Sequence, residues 1–570
     1  MTRVRIFSLA CLAVAFIAAG CSTSEEPAEP DKPDSGGDVE ESARGGSADV
    51  PQPPPPNPFL ADSVVPIGHF DTAQSDTQVH AGPVGPTQDL TQDDLQYTHL
   101  GPGHFGMAIS PEYPDGTRVI WSNGGDRISK LDYETLEVLA ELPVGDKTLL
   151  DEATADGHVD QLDSLSGQAL ADAGLDLAIN YLVGLAGVYY MLDSDNTLFV
   201  GGSESILAYN DVDPDDPDSE IQLRDEWVKP PEVGGKFAGA NMTYDGRVAM
   251  ITDEGWLVVV TRDFSDWEAI QLVGAEQAPA HNAAMAEAGN RPGSADWVRN
   301  SIAIDPDGGI YAVSLDHAHK VIWDGEKLST DEADGAWVAQ YSNTSTLGSG
   351  ATPSLMGFGD AEDHFMVLTD GDTVMNMVFM WRDDIPDGWE PPEGAPSDRV
   401  AGQLPADMGD DAIEAIQTEQ SVVLGGYGAM VVNNQPTSSP PDFPAFGNRI
   451  LVGYAGADPA FTPKGVQKFE WDPDAKELRE AWVNNDVSSA NSVPVMSLGS
   501  GLVYTVGARD GGWTLEGIDW DTGESAFHWG TGSGRYNSLF SGVMVDQDGR
   551  VIHTTAFGIV RYVPANAEAG

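Results

Sequence analysis

From about residue 100 onward the chain repeats one pattern of apolar and polar positions. A short apolar stretch meets a Gly/Asp-rich turn, and a second apolar stretch then runs into a small polar loop. The pattern occurs in GMAISPEYPDGTRVIWSN from Gly106, YYMLDSDNTLFVGG from Tyr189, MTYDGRVAMITD from Met242 and NSIAIDPDGGIYAVSL from Asn300. It returns in SLMGFGDAEDHFMVLTDG from Ser354, VVLGGYGAMVVNN from Val422, VMSLGSGLVYTVG from Val495 and GVMVDQDGRVIHTT from Gly542. Short β-rich runs bounded by Gly, Pro, Asn and Asp predict strands joined by tight turns. In the fourth copy the strands fall on SIAI and IYAVSL, joined by Asp305-Pro306-Asp307-Gly308-Gly309. Pro pre-sets a turn φ there and Gly tolerates a positive one.

A third strand follows most copies, as in ISKLDY, WLVVVTR, KVIWDG or GIVRYV, and some add a fourth, as in TLEVLAEL and ELREAWVN. A unit of three to four strands recurring every roughly 50 to 70 residues is the signature of a propeller, whose small sheets are stable only when stacked. The fold expected is all-β: a seven- or eight-bladed β-propeller of four-stranded antiparallel sheets over residues 62–570, with one helical insertion. The last copy ends after its third strand, so LQYTHLG at residues 95–101 is expected to complete that blade and close the ring. Two stretches interrupt the pattern. Residues 149–186 carry Leu170, Ala173, Leu177 and Tyr181 at helical spacing, and residues 433–448 form a long loop expected to cap a face.

The first residues read differently. Arg3 and Arg5, the apolar run FSLACLAVAFIAA and small residues before Cys21 make residues 1–20 a secretory signal peptide. AAGC ending at Cys21 resembles the bacterial lipobox. That resemblance implies lipidation of Cys21, a membrane contact through it, and a place in the cell envelope, at the outer membrane or the periplasmic face. Residues 21–61 are acidic, Pro-rich and poor in large apolar residues, and are expected to be a disordered tether, with order beginning between residues 62 and 100.

Charge and cysteine count narrow the function. With 28 Lys and Arg against 91 Asp and Glu, the formal charge is −63, which repels phosphates and excludes a nucleic-acid partner. Such a surface suits salty surroundings, where screening relieves self-repulsion. Cys11 lies in the signal, so the processed chain keeps Cys21 alone, without an internal disulfide, a Cys nucleophile or a Cys-based zinc site. A monomer is expected.

In a propeller blade the loop leading into the first strand and the loop after the second strand lie on one face. The leading loops contain His104, Asn241, Asn300, Glu419, Gln420, Asn491 and Asn537; the second loops contain Asp253, Glu254, Asp316, His317, His319, Asp370, Asp372 and Asn376. Amide and carboxylate oxygens without thiols suit a hard cation such as calcium, with Asn241, Asn300, Asn537 and Asp370 as the expected ligands. His317 and His319, spaced two apart on what reads as an irregular loop, are candidates to activate water or to form a nitrogen metal site, and His104 is a third proton carrier. DVDPDDPDSE from Asp211 lacks the Gly and Glu positions of an EF-hand and is not one. GSGATPS from Gly348 precedes a strand, so its glycines are expected to permit close backbone approach at the axis.

Two resemblances add to this reading. NSIAIDPDGGIYAVS, with Asn241, Asn300 and Asn537, resembles the inner strands of regucalcin/gluconolactonase and paraoxonase propellers and of NHL repeats. It implies calcium on the axis and hydrolysis of a lactone or ester. GIDWDTGESAFHWGTG from Gly517, with the weaker copy KLDYETLEV from Lys130, resembles the D-x-x-T-G-E repeat of pyrroloquinoline-quinone enzymes and their non-catalytic relatives. The adjacent Cys pair of the catalytic members is absent here. The expectation is therefore a calcium-dependent hydrolase or, alternatively, a non-catalytic envelope propeller that binds a small-molecule ligand or an envelope protein.

Overall fold

The computed structural model describes residues 51–570 except 146, 182–187, 291–294, 411, 442 and 444–446. The expected signal peptide, Cys21 and most of the expected tether lie outside the described residues, as does part of each expected insertion.

Among the described residues eight antiparallel sheets form the body, each built around four strands, in sequence order in all but the last. Their first strands are Met107–Ile109, Tyr190–Leu192, Phe237–Met242, Ala303–Ile304, Ser354–Met356, Val423–Gly425, Val495–Ser497 and Met544–Val545, and we number the blades 1 to 8 accordingly. Seven blades are thereby ruled out in favour of eight. The closing strand falls where the pattern placed it: Leu95–His99 pairs antiparallel with Gly558–Tyr562 as the outer strand of blade 8. The fourth copy folds as read, with Asp305 Oδ1 accepting from the amides of Asp307 and Gly309 at 2.9 and 2.8 Å and Gly308 at φ 89°. The D-x-x-T-G turn has the same logic, since Asp519 Oδ1 accepts from the Thr522 amide and hydroxyl, both at 2.8 Å. Asp132 does the same for Thr135 at 2.7 and 2.8 Å.

Apolar side chains alternate toward the two faces of each blade and bury between neighbours. Phe365, Trp381 and Trp471 fill the space between blades 5 and 6, and Leu257, Val259 and Ile310 that between blades 3 and 4. Blades 1 and 2 are also joined by a buried ion pair, Lys130 Nζ to Asp211 Oδ1 at 2.5 Å.

Three further features depart from the sequence expectation. First, residues 51–61 are not tether. Gln52 bridges to Phe358, Asn57 Nδ2 donates to the carbonyls of Met242 and Thr243 at 3.0 and 3.1 Å, and Leu60 and Ala61 are buried. Proline already restricts this stretch to extended conformations, so ordering it loses little entropy. Second, the 149–186 insertion holds two helices, α1 (Glu152–Asp163) and α2 (Gly167–Tyr181), with Leu170 and Leu177 buried. α1 begins at Asp151, whose carboxylate accepts from the Thr154 amide at 2.9 Å. Third, the stretch after residue 433 leads into a helix, Gly447–Ala455, designated α4 after the intervening α3 (Ala278–Glu287). Leu170, Leu177, Leu451 and Tyr454 form one apolar cluster with Leu539 and Phe557 of blade 8, so the two insertions meet over the same face.

The chain between residues 57 and 78 runs through the axis and bonds to every blade. The amides of Ile109, Leu192, Ile304, Leu355, Leu424 and Met496 donate to the carbonyls of Val65, Pro66, Thr72, Ala73, Ser75 and Asp76, at 2.7 to 3.0 Å. Blade 3 joins through Asn57 and blade 8 through Gln78, whose Oε1 accepts from the Val545 amide at 2.7 Å. These contacts lie at the ends of the first strands, beside the turns into the second strands. Thr77–Gln78 then adds a parallel strand to the inner edge of blade 7, and Gln88–Asp89 another to its outer edge.

Asn241 ties this segment down from blade 3, with Nδ2 donating to Thr72 O at 2.9 Å and Ile302 O at 2.7 Å. Asn241→Ala takes the side-chain donor from the buried Ile302 carbonyl, while Thr72 O keeps the Ile304 amide, and is expected to cost about 1 to 3 kcal/mol. Chemical denaturation at fixed high salt measures it, and an unchanged midpoint would show that the tie contributes nothing.

Candidate functional site

The axis gathers polar side chains that pattern reasoning did not single out. His69 Nδ1 meets Asp76 Oδ1 and Ser421 Oγ, each at 2.8 Å, and the Ser421 hydroxyl donates to the other oxygen of Asp76. The His69 side chain keeps 12% of its surface open, and a Cβ added to Gly68 would meet nothing within 4 Å, so a small space adjoins the pair. Backbone conformation is unusual here: His69, Phe70, Gln74 and Asp76 have φ of 62°, 71°, 57° and 53°. Non-glycine residues hold that region only where their surroundings over-determine it. The bonds to eight blades supply that.

Serine, histidine and aspartate together suggest a nucleophile relay, but the geometry is wrong for one. A relay needs the hydroxyl on one ring nitrogen and the carboxylate on the other. Here both meet Nδ1. The cluster is a charge-assisted clip between the axial segment and the loop leading into blade 6.

Farther along the axis Tyr189 reaches from blade 2 toward blade 5. Its hydroxyl lies 3.4 Å from Thr352 Oγ1, before the first strand of blade 5, and its ring is 6.5 Å from that of His69. Arg299 binds Ser349 O at 3.0 Å and pairs with Glu419 at 3.4 Å, linking blades 4, 5 and 6. Gly350 allows the expected close approach, since a Cβ there would lie 1.8 Å from the Thr418 carbonyl oxygen. On the blade 7 and 8 side, Asn491 Nδ2 donates to Val452 O at 2.8 Å and Asn537 Nδ2 to Gly453 O at 2.5 Å, both in α4.

The residues expected to ligate calcium are thus held in separate places. Asn241 sits within a first strand, three positions beyond the place that Asn300 occupies, and its Oδ1 accepts from the Met242 amide at 2.8 Å. Asn300 Nδ2 donates to Ser349 O at 3.0 Å. Asn537 ties down α4, and Asp370 accepts from the Asn376 amide at 2.8 Å and side chain at 2.6 Å. Burial pushes Asp370 up to about 7. Among the described residues no three His, Cys, Asp or Glu side chains are grouped to hold a metal.

His104 lies apart from the other two candidate histidines. His104 is buried in blade 1, with Nδ1 on Ser122 Oγ at 2.8 Å and Nε2 on Leu100 O at 2.5 Å, and burial lowers its pKa to about 4. His317 and His319 lie in a regular strand, His317–Trp323, rather than an irregular loop, because the strand pairs with Gly309–Val313 on one side and Trp337–Gln340 on the other.

The fold defines an eight-bladed β-propeller with a filled axis. The chain belongs to the family of an uncharacterized protein of Archaeoglobus fulgidus, to which it is 30% identical over 539 residues, 90% of this chain and 92% of that one. No protein-family profile matches. Among solved structures, the quinohemoprotein alcohol dehydrogenase from Comamonas testosteroni is similar at a TM-score of 0.47 and 12% identity, over 87% of this chain and 79% of that one. BamB from Moraxella catarrhalis is similar at 0.36 and 7% identity, over 65% of this chain and 95% of that one. At such scores the likenesses carry no argument about activity.

Protonation at the axis has a definite sign. Burial, the largest influence, pushes the Asp71 carboxyl up to about 7, against the bonds it accepts from Ser75. Burial pulls His69 down, but the charge and hydrogen bond of Asp76, helped by Asp71, raise it above 6.5 overall. Both groups hold extra protons in the folded state, so each contributes stability at low pH that is lost as pH rises. For Asp71 the loss runs from about pH 4 to 7. Asp71→Asn is expected to match the wild type near pH 4 and to be more stable than it at pH 8. Denaturation midpoints across that range test this, and parallel curves would refute it.

Proposed function

We propose that this chain is an exported, lipid-anchored propeller of the cell envelope that acts by binding a partner protein on its surface, not by turning over a small molecule at its axis. The observation that carries this reading is the occupant of the axis. Small-molecule sites are concave, usually hundreds of Å³ in volume, with convergent polar groups. Here the axial space holds main chain from residues 57 to 78, and Tyr189 spans it. The C-terminal half of α4 covers blades 7 and 8. The polar groups that would converge on a substrate are bonded to this chain itself. The signal sequence and the lipobox-like AAGC support export and anchoring at Cys21.

The hydrolase reading needs calcium held by Asn241, Asn300, Asn537 and Asp370, and proton transfer by His104, His317 or His319. Its weakness is that Asn241, Asn537, Asp370 and His104 all have their polar atoms engaged within the protein.

The two readings separate experimentally. With Cys21→Ser the protein is expected to leave the membrane fraction, and in-cell cross-linking of the wild type is expected to give one defined product that this variant loses. Purified protein is expected to hydrolyse neither lactones nor esters, and its melting temperature at fixed high salt is expected not to fall on chelation. Turnover that disappears in Asn300→Ala and Asn537→Ala, with a chelator-sensitive melt, would replace this reading by the hydrolase.

A further inference from the structure

A strand places side chains two residues apart on the same face. His317 and His319 therefore project side by side from His317–Trp323, with ring centres 6.3 Å apart. Each ring is held through one nitrogen. His317 Nδ1 donates to Asp316 Oδ1 at 2.7 Å, which leaves the lone pair on Nε2. Ser314 Oγ lies 2.8 Å from His319 Nε2 and donates its own proton to His317 O at 3.2 Å. With the hydroxyl proton given to that carbonyl, the hydroxyl accepts the Nε2 proton, an assignment that puts the His319 lone pair on Nδ1. That Nδ1 is buried and has no hydrogen-bond partner.

A buried, unpaired acceptor costs about 1 to 3 kcal/mol and calls for an explanation. Here it faces the same side of the strand as a second imidazole whose free nitrogen also carries a lone pair. We propose that His317 and His319 bind a divalent d-block cation of tetragonal preference, such as Cu²⁺, through His317 Nε2 and His319 Nδ1, with water in the remaining positions. A metal–nitrogen distance of about 2.0 to 2.1 Å puts an imidazole centre roughly 3.2 Å from the ion. Two such reaches sum to about 6.4 Å, so rings 6.3 Å apart can hold one ion only near the line between them, the trans nitrogen pair of a tetragonal copper site rather than a tetrahedral zinc one. Imidazole pairs favour copper, zinc and nickel over calcium, which takes oxygen. Asp316 and Ser314 are the outer partners that fix the tautomer and aim of metal-bound histidines. Trp297, its ring centre 6.0 Å from that of His319, walls the far side.

This site is independent of the surface-binding reading. The test titrates Cu²⁺ into the full chain after chelator dialysis, in excess Ca²⁺ to occupy surface carboxylates, with electron paramagnetic resonance counting the nitrogen ligands. One ion per chain with two nitrogens is expected. His319→Gln is expected to abolish that signal, and Ser314→Ala and Asp316→Asn to weaken binding by about 10- to 100-fold with an unchanged circular dichroism spectrum. His80→Gln, which removes an exposed histidine, is expected to leave it unchanged. Absence of binding by the wild type would overturn the proposal. So would affinity unchanged in Ser314→Ala and Asp316→Asn, which remain informative should His319→Gln fail to fold.

Discussion

The pairing of one main-chain segment with all eight first strands governs the rest of the molecule. The innermost strand of a blade has an edge turned toward the axis, and its amides and carbonyls need partners as any strand edge does. Water would serve in an open channel. Here the carbonyls of residues 65 to 76 take the amides of six blades, and the side chains of Asn57 and Gln78 bring in the other two. Each bond contributes about 1 kcal/mol once exchange with water is counted. Together they make one element a neighbour of every blade. The same stretch continues to Leu95–His99, which completes blade 8, so ring closure and axial filling come from one length of chain.

That arrangement explains how the polar residues near the axis are used. An asparagine side chain offers donors and an acceptor, which suits it to tying one backbone to another across a gap. Asn57, Asn241, Asn491 and Asn537 all do so, two at the axial segment and two at α4. His69, Asp76 and Ser421 join the segment to the blade 6 loop with charge assistance, and four left-handed residues let it turn within the width of the axis. The helical cap over the opposite face needs no axial space: its apolar faces pack on one another and on blade 8.

Much of this architecture is legible in the sequence because it rests on short-range physics. Strand–turn–strand periodicity shows a propeller of seven or eight blades, and the incomplete last copy shows where Leu95–His99 must go. Asp305, Asp519 and Asp132 make their turns with residues two to four positions on. Leu170 and Leu177 mark a helix through their spacing alone. The axial segment has no such signal. GHFDTAQSDTQ shows no period, and its left-handed positions fall on His, Phe, Gln and Asp rather than Gly. Its partners lie far away in sequence: Gln78 and Val545 are 467 residues apart.

The sequence by itself determined the blade, the strand that closes the ring and the positions of the insertions, because each follows from side-chain period and turn chemistry over a dozen residues, and it narrowed the repeat to seven or eight. Only the tertiary structure decided what fills the axis and what each Asn and His does there. A polar side chain takes its role from the groups within about 3 Å of it. For Asn241 those are Thr72 and Ile302, and for Asn537 Gly453, which the chain brings close only when the ring has formed.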